Sequence, residues 1–386
     1  MQRILYFEGC NFADYPMGGT LSFAKQMICN VEAEFYLVGI SDSRIPVGQW
    51  SMLTIQEKEY DFFSIGNIED LEKSRLPKRI VLFRMLNKYI KEINKTFRDT
   101  DVVFTQTPQF VFLIAKYEWK KFCFCFAGLG NSVGNSRFKI LRIFGGLYEK
   151  KLFRDLNKSC HLILAAADDK TISEKSTLHN LKSDRIKQFP TRFDDKVFYV
   201  KNQKECKSNL GYNNKDKLIV TVGRLAEIKG WRDLIDSFRL LTQIEPNSIL
   251  IFIGDGEERS KIEEYAQPEI EDGKIVLTGK KTPMEICDFL NAADVFCMFS
   301  LLEGWPTAMV EALACGKNIV TTNVSGAKDM VHHGKNGFII ENRDIYSFSQ
   351  SIIQSMELPN PNMKSIRISE KYSVKNLNND FFELLQ

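Results

Sequence analysis

The sequence predicts an α/β protein built from two doubly wound parallel sheets, one in each half of the chain. Three observations carry this. Short apolar runs of buried-strand type recur in both halves and alternate with stretches of helical spacing, which is the rhythm of βαβ units. At 386 residues the chain exceeds what one ordinary core holds. A polar run at 201–216 separates the two series of strands. The expected division is a first domain at 1–198, a second at 199–370, and a closing helical segment at 371–386.

In the first half, strands are expected at 4–7, 34–40, 101–106, 122–126 and 161–165. The first runs toward Met17-Gly18-Gly19-Thr20 and then a helical pattern of Leu21, Phe23, Ala24, Met27 and Ile28. Strand, glycine loop and helix start together leave unpartnered N–H groups, with Thr20 a candidate cap. Asp99-Thr100-Asp101 has the spacing of an acidic metal grip, but it directly precedes an apolar strand and reads as a turn that caps it. Residues 75–98 and 137–158 are basic amphipathic helices, either packed on a core with one face solvated or resting on an anionic membrane surface.

In the second half, strands are expected at 218–222, 249–253, 275–277, 295–299 and 318–322. After the first comes Gly223-Arg224-Leu225-Ala226-Glu227-Ile228-Lys229-Gly230, which places two cations on one strand-to-helix loop, either as surface charge or as the positive charge that a departing diphosphate requires. After the fourth comes Ser300-Leu301-Leu302-Glu303-Gly304-Trp305-Pro306-Thr307, then a helix that carries Glu311 and stops at Gly316. Glu303 in the loop and Glu311 one turn and a half into the helix are by spacing alone either solvated surface carboxylates or acceptors for the paired hydroxyls of a hexose and a ribose. The expected ligand crevice lies at the carboxyl ends of the strands.

Composition excludes several classes. The net charge of +3 argues against a polyanionic partner such as nucleic acid. Nine Cys, an odd number with several in strand-like runs, fit reduced thiols in a cytoplasmic protein. No Cys-x-x-Cys pair and no zinc pattern among the four His is present. No run of 18 apolar residues offers a membrane span. The expectation is a cytoplasmic protein, with a peripheral place on the inner face of the cytoplasmic membrane as the reading that the basic helices add.

The segment Ser300, Glu303, Gly304, Pro306, Glu311, Ala312 and Gly316 resembles the signature of the retaining nucleotide-sugar glycosyltransferases of glycosyltransferase family 4. Gly-Arg-Leu…Lys-Gly around Arg224 and Lys229 matches the same family, and Gly254-Asp255-Gly256 and Thr278-Gly279 match two further loops of it. The resemblance implies the GT-B fold, with the two domains facing across a crevice and a final helix crossing back to the first. It implies Glu303 on the donor-sugar hydroxyls and Glu311 on the ribose. Arg224 and Lys229 would hold the pyrophosphate, and backbone groups of Gly304, Trp305, Pro306 and Thr307 the phosphate and sugar. Gly18 and Gly19 would lie over the donor phosphates. The activity implied is transfer of a hexose from a UDP- or GDP-linked sugar to a saccharide or lipid-linked acceptor, with retention and without an essential metal or other cofactor. Surface polysaccharide or lipopolysaccharide is the acceptor class.

The sequence departs from the family at one place. Many members carry a His after the fourth or fifth strand of the first domain, where this chain reads Phe126-Ala127-Gly128-Leu129-Gly130-Asn131-Ser132. Asn131 and Ser132 are the candidate acceptor contacts there. His161, His332 and His333 read as packing or turn residues. Two alternatives stand beside the transferase: a catalytically silent nucleotide-sugar-binding partner subunit, and a nucleotide-sugar epimerase or hydrolase.

Overall fold

The computed structural model describes residues 1–16, 19–128 and 145–386. They divide into two compact units, Met1–Thr191 with Leu377–Gln386, and Arg192–Asn376.

The first unit is an eight-stranded sheet ordered β3-β4-β2-β1-β5-β6-β7-β8. Its strands are β1 (Gln2–Phe7), β2 (Ala33–Ser41), β3 (Trp50–Ile55), β4 (Lys58–Asn67), β5 (Val102–Thr105), β6 (Phe122–Phe126), β7 (Leu162–Ala165) and β8 (Ile186–Gln188). All neighbours are parallel except β3, which pairs antiparallel with β4. The central strands read as unbroken apolar runs because helices cover both faces; every residue of β5 and β7 is buried. The order of strand addition reverses between β1 and β5, so their carboxyl ends flank a switch point. Helix Leu377–Leu385 belongs to this unit: Phe381 meets the rings of Phe104 and Phe189 at centroid distances of 5.9 and 6.3 Å. The Asn378 side-chain oxygen accepts the Glu32 N–H at 2.8 Å.

The β3–β4 hairpin was not expected from the sequence. Its turn is Gln56-Glu57, both at positive φ (47° and 67°), where Asn or Gly is the usual signal. Thr20, expected as a cap, lies inside the helix Gly19–Asn30, and its carbonyl accepts the Gln106 amide at 3.3 Å. Asp101 sits at the entry to β5, where its carboxylate takes the Arg3 N–H at 2.9 Å and Lys120 at 3.3 Å. His161 accepts the Phe122 N–H on Nδ1 at 3.0 Å and so secures the start of β6.

The second unit is a six-stranded, wholly parallel sheet ordered β11-β10-β9-β12-β13-β14. The strands are β9 (Lys217–Val222), β10 (Ser248–Ile253), β11 (Ile275–Leu277), β12 (Val295–Met298), β13 (Asn318–Thr322) and β14 (Gly337–Ile340). Its core joins Ile219, Phe252 and Cys297 of the sheet to Trp231, Phe238 and Phe348 of two covering helices. Residues 192–198 fall in this unit rather than ahead of the expected division, because Phe193 exchanges backbone bonds with the returning chain. Its N–H donates to the Tyr372 carbonyl and its carbonyl accepts from Val374, both at 3.0 Å. The Arg192 guanidinium also donates to the Lys371 carbonyl at 2.5 Å. Among the described residues no helix is long and apolar enough to cross a membrane.

Candidate active site

Two loops of the second unit leave neighbouring strands, and the sheet order explains why they meet. β9 and β12 lie side by side and parallel where the order of strand addition reverses, so the loops that leave them emerge at one edge. β9 is followed by Gly223-Arg224-Leu225, a 3-10 turn at Glu227–Lys229 and Gly230, which opens the helix Trp231–Thr242. β12 is followed by the loop from Phe299 to Pro306 and the helix Thr307–Ala314.

Three ties bind the loops. The Leu301 N–H donates to the Ile228 carbonyl at 2.8 Å. Lys229 Nζ donates to Glu303 Oε1 at 2.5 Å. Gly230, in the left-handed region at φ 64°, passes so close to Phe299 that a Cβ would stand 2.1 Å from its carbonyl oxygen. Ser300 Oγ also donates to Glu303 Oε1, at 2.7 Å, and Thr322 Oγ1 donates to the Ser300 carbonyl at 2.6 Å. Glu303 is therefore held by a cation and a hydroxyl with its side chain only 11% exposed.

Arg224 and Lys229 line one pocket with Gly223, Trp231, Met298 and Ser300. The Arg224 guanidinium is engaged at the surface, Nε donating to Glu257 Oε2 at 2.8 Å. Both partners of that pair are more than half exposed, so the pair is weak and open to exchange. The further glycine loops close the same edge. The Leu225 N–H donates to the Asp255 carbonyl at 3.1 Å, and the Gly254 N–H to the Gly279 carbonyl at 2.9 Å.

Pro306 caps the helix Thr307–Ala314 rather than opening it, and its carbonyl accepts the Met309 N–H at 3.0 Å. Gly304 and Thr307 are half-buried on either side. Trp305 turns inward and meets the Tyr372 ring edge-on at 5.4 Å, a partner 67 positions away that no local pattern announces. Glu311 lies one turn into the helix. It keeps part of its surface in solvent, yet its carboxyl makes no hydrogen bond among the described residues, and desolvation, with Cys287 second, pushes its pKa up to about 8.

Of the residues singled out in the sequence, the structure joins Lys229 directly to Glu303 and places Arg224 on the same pocket. Gly19 is exposed at the first position of its helix in the first unit. Gly18, Asn131 and Ser132 lie outside the described residues. His333 packs edge-on against Phe338 at 5.0 Å, and His332 stands in the same turn. Sequence reasoning missed Thr322 and the Ile228 carbonyl; one acts through a strand neighbour and the other through backbone.

Residues 202–372 match the family described as glycosyl transferases group 1. An uncharacterized glycosyltransferase of Methanocaldococcus jannaschii is 25% identical over 326 residues, 75% of this chain and 79% of that one. The capsular polysaccharide biosynthesis glycosyltransferase CapM of Staphylococcus aureus is 32% identical over 139 residues. That stretch spans 36% of either chain, so it reaches little more than a third of that relative's length. Among solved structures, sucrose-phosphate synthase from Thermosynechococcus elongatus superposes with a TM-score of 0.76 at 14% identity, covering 100% of this chain and 98% of that one. The family match thus lies within the second unit, and the two Rossmann-like units have the GT-B fold.

Proposed function

We propose that this chain, whose residues 202–372 match the glycosyl transferases group 1 family, moves a hexose from a nucleoside diphosphate sugar to a hydroxyl of a saccharide or lipid-linked saccharide. The observation that carries this is the 2.5 Å bond between Lys229 and Glu303. It puts a cation suited to a diphosphate within one hydrogen bond of a carboxylate suited to sugar hydroxyls.

In this reading the donor takes Lys229 and Arg224 for its diphosphate, each cation leaving the carboxylate that now holds it. Glu303, released by Lys229, receives the sugar hydroxyls. No carboxylate is assigned as a covalent nucleophile, so the reading is retention by front-face displacement. The bond from the anomeric carbon to the phosphate oxygen breaks, and the acceptor oxygen bonds on the same face. The acceptor proton passes to the departing phosphate, whose growing charge the two cations offset. Those cations supply the role a metal would otherwise take. The family 4 assignment and surface-polysaccharide acceptor belong to the same proposal, as does the donor contact of Gly18 and Gly19.

Titration with UDP, GDP, ADP and CMP without metal, repeated between pH 6 and 9, tests the site. Ribose hydroxyls donate to an ionised Glu311, so binding must first remove its proton. One nucleotide class should therefore bind, with affinity rising as pH climbs toward about 8 and levelling above it. The same raised pKa disfavours the folded state as pH rises from the ordinary carboxylate range to that value, because the unfolded chain then binds fewer protons. Glu311→Gln should flatten the binding profile to the titration of the ligand alone. No binding in any class would remove the donor reading, and an unchanged profile in Glu311→Gln would remove Glu311 from it.

Peripheral contact with an anionic membrane is the part of the proposal supported by helix Lys78–Phe97. Its exposed side presents Arg84, Lys88, Lys91 and Lys95, and Leu76 and Ile80 stand exposed near its start. Co-sedimentation with vesicles should rise with their anionic lipid fraction and fall with salt; indifference to both would exclude the contact.

A further inference from the structure

Two donors hold Glu303, and the proposed reaction uses one of them elsewhere. Lys229 Nζ reaches Glu303 Oε1 at 2.5 Å, and Ser300 Oγ reaches the same oxygen at 2.7 Å. When Lys229 turns to a diphosphate, Ser300 is the donor that stays with the carboxylate. Whatever fixes Ser300 then decides where Glu303 stands as the sugar reacts.

Ser300 lies just past the end of its strand. The ladder between β12 and β13 closes with Met298 opposite Thr321, so the Ser300 carbonyl falls beyond its last rung. Thr322, the last residue of β13, carries the pairing one step further with its side chain. Its Oγ1 donates to the Ser300 carbonyl at 2.6 Å, across 22 positions of sequence. Both residues are buried, so water is a poor substitute for this bond.

The anchor is itself well held. Thr322 pairs with Ile340 of β14 on its other side, and its carbonyl accepts the Val324 N–H at 2.8 Å. The preceding residue offers a contrast. Thr321 is equally buried, but its Oγ1 donates to the Thr322 carbonyl at 3.1 Å instead. Of two neighbouring threonines with the same burial, one serves the loop that carries Glu303 and the other serves its own strand.

We propose that Thr322 is a positioning residue for the transfer reaction. Through the Ser300 carbonyl it sets the Ser300 hydroxyl, and through that hydroxyl it sets the Glu303 carboxylate against the donor sugar. The assignment rests on the glycosyl-transfer reading and adds to that site a residue that acts without touching the donor. Arg224 and Lys229 stand on the loop after β9, outside this chain of bonds. Loss of the Thr322 hydroxyl should therefore appear in the chemical step and not in nucleotide binding.

The test uses the full chain with UDP-glucose, UDP-galactose, UDP-N-acetylglucosamine and GDP-mannose. Release of nucleoside diphosphate is followed beside the binding of UDP and GDP. Thr322→Val keeps the shape of the side chain and removes its hydroxyl. It should lower kcat roughly 10–100-fold while the nucleotide Kd stays within about twofold, since a small misplacement of a catalytic group acts on rate. Thr322→Ser should recover most of that rate, and the control Thr321→Val should keep it. In a Ser300→Ala background, Thr322→Val should cost no more than about twofold further, because both residues act along one path. Unchanged kcat in Thr322→Val, an equal loss in Thr321→Val, a nucleotide Kd that rises in step with the lost rate, or full additivity with Ser300→Ala overturns the assignment. A wild-type chain that releases diphosphate from none of the four donors overturns the transfer reading, and the positioning role falls with it.

Discussion

Glu303→Gln should lower kcat for transfer by roughly 10²–10³-fold, the range seen when one preorganised polar contact to a transition state is removed. The shape of the side chain is kept, so Ser300 still finds an oxygen to donate to. In the proposed reaction, what is lost is the charge that faces the sugar as positive character builds at its anomeric carbon. Stability should barely change. Lys229 is about a third exposed, so an ammonium left without its carboxylate turns to water, at a cost of about 1 kcal/mol or less. Transfer assays beside thermal unfolding separate the two effects. A variant with wild-type turnover would take Glu303 out of the chemistry.

Gly230→Ala should be strongly damaging for a single added methyl group. Its Cβ would meet the Phe299 carbonyl at 2.1 Å, and the φ of 64° is itself unfavourable for alanine. Backbone cannot step aside as a long side chain can, so the two loops must part. The expected loss is about 2–4 kcal/mol, or roughly 5–15 °C in the midpoint of a unit of this size. Parting the loops also breaks the Leu301–Ile228 bond and separates Lys229 from Glu303, so nucleotide binding should fall with stability. Chemical denaturation alongside nucleotide titration checks both. An alanine variant as stable as the parent would mean the loops do not approach as described.

Much of the fold was legible because the sheets are parallel and buried, and such strands announce themselves as apolar runs. β6, β11 and β13 fall where the sequence places them. The β3–β4 hairpin was not legible: β3 lies at the sheet edge and is only partly buried, and Gln56-Glu57 carries none of the usual turn chemistry. β8 was missed because Ile186-Lys187-Gln188 holds a single apolar side chain, where the equally short β11 is apolar throughout. In the site, Glu303, Arg224 and Lys229 could be named from their loops. Their mutual arrangement could not, because it depends on β9 and β12 being neighbours and on a backbone bond from Leu301 to Ile228 that leaves no trace in residue type.

The place of helix Leu377–Leu385 in the first unit affects how the protein is made. Phe104 and Phe189 are synthesised early, but Phe381, which covers them, emerges only after the whole of Arg192–Asn376. At ribosomal speeds of about 5–20 residues per second that interval is roughly 10–40 s. The second unit is continuous in sequence and can close as soon as it leaves the exit tunnel. Through that interval the earlier half keeps an apolar groove open to chaperones or to a wrong neighbour on the polysome.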